Sequence, residues 1–243
     1  MASNNLAGAS RRPAAASTLV IACGALAREL VTLKALNGWD HMAITCLNAA
    51  LHNRPDQITA AVEAKIHANR HRYDEILCLY GDCGTGGALD AMLAREGVPR
   101  IAGDHCYAFY AGLDAFDAMA EQELGTFYLT DFLARHFDRL VIQGLGLDRH
   151  PHLLEAYFGH YTRLMYLAQS DDPALDAAAR SAAERLGLRF ATARTGFGLM
   201  EAFLQPAPGQ PGSAEAAEAG PTVPASAVAA AGSPLAAAPA DPA

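Results

Sequence analysis

Three cysteines stand where an apolar run of strand length gives way to a glycine-bearing turn: Cys23 in LVIACGAL, Cys83 in LCLYGDCGTGG and Cys106 in IAGDHCYAF. His105 precedes Cys106 and Asp104 precedes His105, so a carboxylate, an imidazole and a thiol fall on consecutive residues. Zinc takes mixed sulfur and nitrogen ligands, and three protein ligands with one open position is its usual catalytic arrangement. Iron accepts the same donors. Cys23, Cys83, His105 and Cys106 are therefore the candidate metal ligands. The chain has no C-x-x-C pair and no H-E-x-x-H helix, so a metal site depends on these residues converging from separate parts of the sequence.

The turn Gly81–Gly87 holds four glycines in seven residues and leads into a helical stretch. Gly84, Thr85, Gly86 and Gly87 form a candidate cofactor-binding turn, because backbone N–H groups and the positive end of a helix suit an anion or a thiolate. The same field lowers a thiol pKa, which makes Cys83 a candidate nucleophile with His105 as its base. The competing reading is a tight strand-to-helix turn with a passive thiol. The turn lacks the Gly-Lys-Ser/Thr ending of a phosphate loop and the G-x-G-x-x-G spacing, and no serine sits in a G-x-S-x-G elbow. Cys46 and Cys78 fall inside strands, where packing explains them. His52 follows the second strand as a further ligand, base or substrate contact, or simply as a turn histidine, and Glu29 reads as a solvated helix charge or a partner for a nearby Arg.

In an open α/β sheet the carboxyl ends of the strands share one edge, where distant residues meet. Apolar runs of strand length alternate here with amphipathic stretches of helical length. This predicts an α/β layered fold, with a mainly parallel sheet flanked by helices in the Rossmann manner, either as one unit or as two similar lobes around a cleft. Strands are expected at Thr18–Cys23, Ala43–Leu47, Glu75–Tyr80, Arg100–Ala102, Thr126–Thr130, Arg163–Ala168 and Arg189–Ala193. Glu75–Tyr80 reads as central because both its faces are apolar. Helices are expected over Ala25–Leu36, Asp56–Ala68, Ala88–Arg95, His105–Ala120, Phe132–Leu145 with Asp131 as cap, His152–His160 and Pro173–Leu186.

The sequence of 243 residues is 51% hydrophobic, enough for a substantial core. Residues 1–16 and 205–243 read as disordered tails around a 17–204 domain. The second tail carries eight of the thirteen prolines and no aromatic residue, so it cannot build a core. A net charge of −8 without basic clusters argues against nucleic acid and anionic membranes, leaving small molecules or proteins as partners. No apolar run has membrane length, and no secretory h-region is present, so the chain reads as cytoplasmic. Five cysteines are then free thiols, ligands or nucleophiles rather than a disulfide framework.

The strings ACGALARE, CLNAALHNRP, YGDCGTGG, GDHCYAFYAG, TFYLTDFLARHFD and GLGLDRHP resemble the DUF1638 family, a domain of unknown function, over roughly residues 17–204. That resemblance implies an association with corrinoid-dependent methyltransferases and singles out Cys23, Cys83, His105 and Cys106. Three functions follow as expectations. The first is a zinc- or iron-dependent enzyme or accessory factor in one-carbon, methyl-transfer metabolism acting on a small-molecule substrate. The second is a cysteine-nucleophile enzyme using Cys83. The third is a cofactor-binding or chaperone module that carries a corrinoid or iron–sulfur cluster to a methyltransferase or corrinoid protein. Inert structural thiols are the remaining alternative.

Overall fold

A computed structural model describes residues 17–205. The two terminal segments read above as tails lie outside the described residues, apart from Gln205. Six strands form two separate parallel sheets of three, in the orders β2-β1-β3 and β4-β5-β6. The two-lobe alternative is therefore the observed one.

The first lobe is built from β1 (Thr18–Cys23), α1 (Ala27–Asn37), β2 (Met42–Leu47), α2 (Pro55–Asn69), β3 (Glu75–Leu79) and α3 (Ala88–Glu96). All six residues of β1 are buried, as a strand covered on both faces and both edges must be. The centre is thus β1, and β3 lies toward the edge, contrary to the expectation from its apolar composition. Its outer side is covered by the segment after α3. The Cys78 amide donates to the Pro99 carbonyl at 2.9 Å and the Ile101 amide to the Cys78 carbonyl at 3.1 Å. This cover amounts to one bridge between Cys78 and Arg100, not the expected fourth strand. α1 ends at Gly38 and α3 at Gly97, both left-handed, as helix C-termini commonly do.

The predicted helix over His105–Ala120 is split by Gly112, at φ 85°, into α4 (Cys106–Ala111) and α5 (Leu113–Gln122). These two carry the chain into the second lobe. Tyr107 of α4 lies against Tyr128 with ring centroids 5.4 Å apart, and Phe116 of α5 approaches Tyr128 at 5.1 Å. The second lobe comprises β4 (Thr126–Thr130), α6 (Asp131–Arg135), α7 (Leu153–Phe158), β5 (Arg163–Ala168), α8 (Pro173–Leu186) and β6 (Arg189–Arg194). Thr130, not Asp131, caps α6, and the helix is short: a π-turn over Asp138–Gln143 replaces the long helix expected there. A final helix, α9 (Leu199–Leu204), was invisible to periodicity at six residues. It crosses back to bury Met200 and Leu204 in the first lobe's core. No described helix is long and apolar enough to cross a membrane.

Candidate functional site

Parallel strands put their carboxyl ends on one edge, and each lobe turns toward the other there. The edge of the first lobe and the start of α6 enclose a cavity of about 70 Å³. Cys23 enters it from the end of β1, Cys83 from the turn after β3 and Cys106 from the start of α4. His52 joins them from the 3-10 turn after β2. Phe109, Phe132, Leu133 and Leu140 complete an apolar wall, the last three from the second lobe. The three thiols singled out by position therefore face one space.

Close backbone packing explains the glycines beside them. A Cβ on Gly24 would stand 2.7 Å from the Leu47 carbonyl oxygen, and one on Gly81 would stand 2.7 Å from the Asp104 carbonyl oxygen and 3.2 Å from the Cys83 sulfur. Only residues without a Cβ let these strand exits meet. The Cys83 amide donates to that same Asp104 carbonyl at 2.9 Å. Cys83 has φ 47°, the one positive φ outside glycine among the described residues. A side chain in this region is strained by about 1–2 kcal/mol, held here by the packing around it.

Arg100 fixes the same junction. Its guanidinium grips Asp90 with both arms, at 2.6 and 2.9 Å, and donates through Nη1 to the carbonyls of Gly103, Ile101 and Tyr80 at 2.7, 3.1 and 3.3 Å. It ties the exit of β3 to the loop that precedes Cys106. Nothing in the local sequence announced this role, because the fork's partners lie up to twenty residues away.

The glycine turn is organised differently from the expectation. Asp82 accepts the amides of Gly86 at 3.1 Å and Gly87 at 2.9 Å, together with the Thr85 hydroxyl. The turn's donors are thus spent on a carboxylate of the chain itself. Burial pulls the Asp82 carboxyl upward, but the hydrogen bonds from Thr85, Gly87, Gly86 and Gly84 outweigh it and hold the group below its ordinary range. Gly84, Thr85, Gly86 and Gly87 accordingly cradle Asp82, and none of the four lines the cavity.

Burial also reverses the expected activation of Cys83. At 6% exposure the thiol is pushed up to about 12 by desolvation, with the neighbouring Cys23 and Asp82 adding to the shift. α3 begins only at Ala88, so its N-terminal field does not offset the loss of water. Desolvation raises Cys23 and Cys106 as well, and Cys83 and Cys23 raise Cys106 further. The Tyr80 hydroxyl is buried beside Cys23 without a well-formed hydrogen bond. Ionising one thiol in this cluster therefore opposes ionising the next.

His105 precedes α4 as its cap residue and is absent from the cavity wall. The imidazole on the wall is that of His52. Burial, and then His105, hold His52 below its ordinary value, and burial does the same to His105, leaving both neutral at pH 7. As the side chains stand, no three ligand atoms of Cys23, Cys83, Cys106, His52 and His105 lie within 4.8 Å of one another. Among the described residues that spacing is met by Glu63, His67 and Glu96 on the surface of α2 and α3. There Arg70 and Arg95 already pair with the carboxylates of Glu96 and Glu63. Cys46 is half-buried in β2 and Cys78 is buried in β3, both outside the cavity. Glu29, read as a solvated charge, is in fact buried at the lobe junction.

No curated protein matches the chain. Residues 46–204, which take in His52, Cys83, His105 and Cys106 and begin after Cys23, match the family model described as "Protein of unknown function (DUF1638)", and the chain belongs to that family.

Proposed function

We propose that this chain is a metal-dependent enzyme or accessory factor that holds zinc or iron with Cys23, Cys83 and Cys106 and acts on a small, uncharged substrate. The observation that carries this reading is the convergence of three free thiols and a neutral imidazole on one apolar cavity. Protonated thiols repel no substrate and bind no anion, but a soft cation displaces their protons and turns their mutual repulsion into attraction. Binding requires χ1 rotation of one or more thiols, since their sulfurs are not yet at ligand spacing. The three protons leave to solvent as the thiolates form. The metal, when bound, would supply an open position that makes a water or substrate more acidic, and neutral His52 on the cavity wall would accept that proton.

The cavity of about 70 Å³ suits a group of a few heavy atoms, in keeping with one-carbon chemistry. A corrinoid ring is far larger, so in this reading a corrinoid stays on a partner protein, a methyltransferase or corrinoid protein that docks at the cavity mouth. An iron–sulfur cluster in the same cavity would need the lobes to part.

The test is metal analysis of protein purified without oxygen, with cobalt(II) substituted as a probe. Intense thiolate-to-cobalt absorption, lost in Cys83→Ser and Cys106→Ser, is the expected result; substoichiometric metal and a cobalt spectrum without thiolate bands overturn the reading. One observation favours a second function. The strained φ of Cys83 on a strand-to-helix turn is the posture of a nucleophile elbow. Stoichiometric labelling of Cys83 by iodoacetamide at pH 7, with activity indifferent to chelators, would select it over the metal site.

A further inference from the structure

A second cleft, of about 590 Å³, opens between α1, α6 and the loop from β5 into α8. Most polar groups on its wall are already used. Asp131 accepts hydrogen bonds from the Tyr166 hydroxyl at 2.7 Å, the Gln169 amide at 3.0 Å and the Ser170 hydroxyl at 2.5 Å. Arg135 lies 3.7 Å from the same carboxylate, a loose pairing. Asp172 caps α8 by accepting the Ala174 amide at 2.9 Å, and Asp171 pairs with Arg194 at 3.4 Å.

Two wall residues are left over. Glu29 is 5% exposed, and its Oε2 has no hydrogen-bond partner. The guanidinium of Arg28 has no hydrogen-bond or ion-pair partner among the described residues. The two are consecutive on α1, face the same cleft and do not pair with each other. A carboxyl oxygen buried without a hydrogen bond is costly, so native structures rarely keep one unless something else completes it.

We propose that this cleft binds a small zwitterion, a molecule carrying a carboxylate and an ammonium group a few bonds apart, as a free amino acid does. Arg28 and the loosely held Arg135 receive the carboxylate, and Glu29 accepts the ammonium N–H groups. Each single-charge ligand fits worse. An anion alone leaves Glu29 unpaired and meets Asp131 and Asp171; a cation alone leaves Arg28 unpaired and meets Arg135. The cleft lies in the size range of small-molecule sites and needs no metal in the neighbouring cavity.

The experiment is calorimetric titration of the full chain with each common amino acid in turn, with acetate and methylammonium as single-charge controls. At least one amino acid is expected to saturate the site, with both controls at least about tenfold weaker. Glu29→Gln and Arg28→Met should each weaken binding by roughly tenfold to a hundredfold, while Cys83→Ser leaves it unchanged. Absence of saturable binding, a control that binds as tightly as the amino acid, or unchanged affinity in either variant overturns the proposal. Arg28 is exposed, so Arg28→Met carries the test even where Glu29→Gln fails to fold.

Discussion

Replacing Gly81 by alanine tests whether the thiol cavity depends on backbone contact between strand exits. The added Cβ would stand 2.7 Å from the Asp104 carbonyl oxygen and 3.1 Å from its carbon, both backbone atoms that cannot swing aside as a side chain does. Overpacking of this kind costs about 1–3 kcal/mol. Gly81 does not use a positive φ, so alanine also restricts the unfolded chain and returns about 0.4–1 kcal/mol. The net loss is up to about 2.6 kcal/mol, or as much as roughly 10 °C in Tm for a chain of this size. The same oxygen accepts the Cys83 amide, so the displacement reaches the thiol turn, and cobalt binding should weaken with stability. Gly86→Ala is the control. Its Cβ meets nothing within 4 Å, and its cost of about 1–2 kcal/mol comes from φ 62° alone, so cobalt binding should survive. Urea denaturation and cobalt titration of both variants read the two effects separately. A Gly81→Ala protein with wild-type stability and wild-type cobalt binding refutes the close-contact argument.

Four other outcomes follow from the same geometry. Asp82→Ala should cost about 1–2 kcal/mol in urea denaturation, because three donors of the glycine turn lose their acceptor. Since the folded carboxyl titrates below its ordinary value of 3.8, its contribution is present above that pH and disappears as pH falls through the folded value. A stability profile of Asp82→Ala parallel to wild type in acid would contradict this. Glu29 behaves oppositely: burial raises its pKa, so stability is full below about the ordinary value of 4.5 and declines as pH rises through the folded value. Glu29→Gln should flatten that decline, and an unchanged slope in thermal melts against pH would refute the buried carboxyl. Native Cys83 should react with iodoacetamide at pH 7 at least about a hundredfold more slowly than free cysteine, given a thiol pushed up to about 12. Reaction at the free-cysteine rate, read by mass spectrometry, would show that it is not buried. Arg100→Lys should cost about 1.5–3 kcal/mol, since lysine cannot hold Asp90 with two arms while reaching three carbonyls.

Much of this was legible in the sequence because it is local. Strands such as Thr18–Cys23 and Arg163–Ala168 and the helix closed by Gly187 are written in apolar periodicity and punctuation, and their bounds match the structure. Strand order is non-local. The apolar faces of β3 predicted a central strand, yet a three-residue segment covering its outer edge produces the same composition. The placement of Cys23, Cys83 and Cys106 at strand exits was readable from topology alone, and they do share a cavity. What surrounds them was not. Whether a glycine amide faces a ligand or Asp82, and whether a thiol meets water or Phe109, depends on contacts between distant residues. So the field argument for a lowered Cys83 pKa lost to burial. His105 was favoured over His52 by being next to Cys106 in sequence, while the chain's path puts His52 on the wall. A sharper signal was available for Asp82. An aspartate followed by Thr85 and two glycines reads as a turn that folds its amides onto the carboxylate.

The central claim is that three thiols from separate strand exits act together on one metal ion. Titration of the anaerobic, apo full-length chain with zinc, following proton release and free-thiol content together, tests it most directly. One zinc per chain, about three protons released, and protection of Cys23, Cys83 and Cys106 but not Cys46 is the predicted result. Weak binding without proton release, or protection that leaves Cys83 as accessible as before, would contradict it.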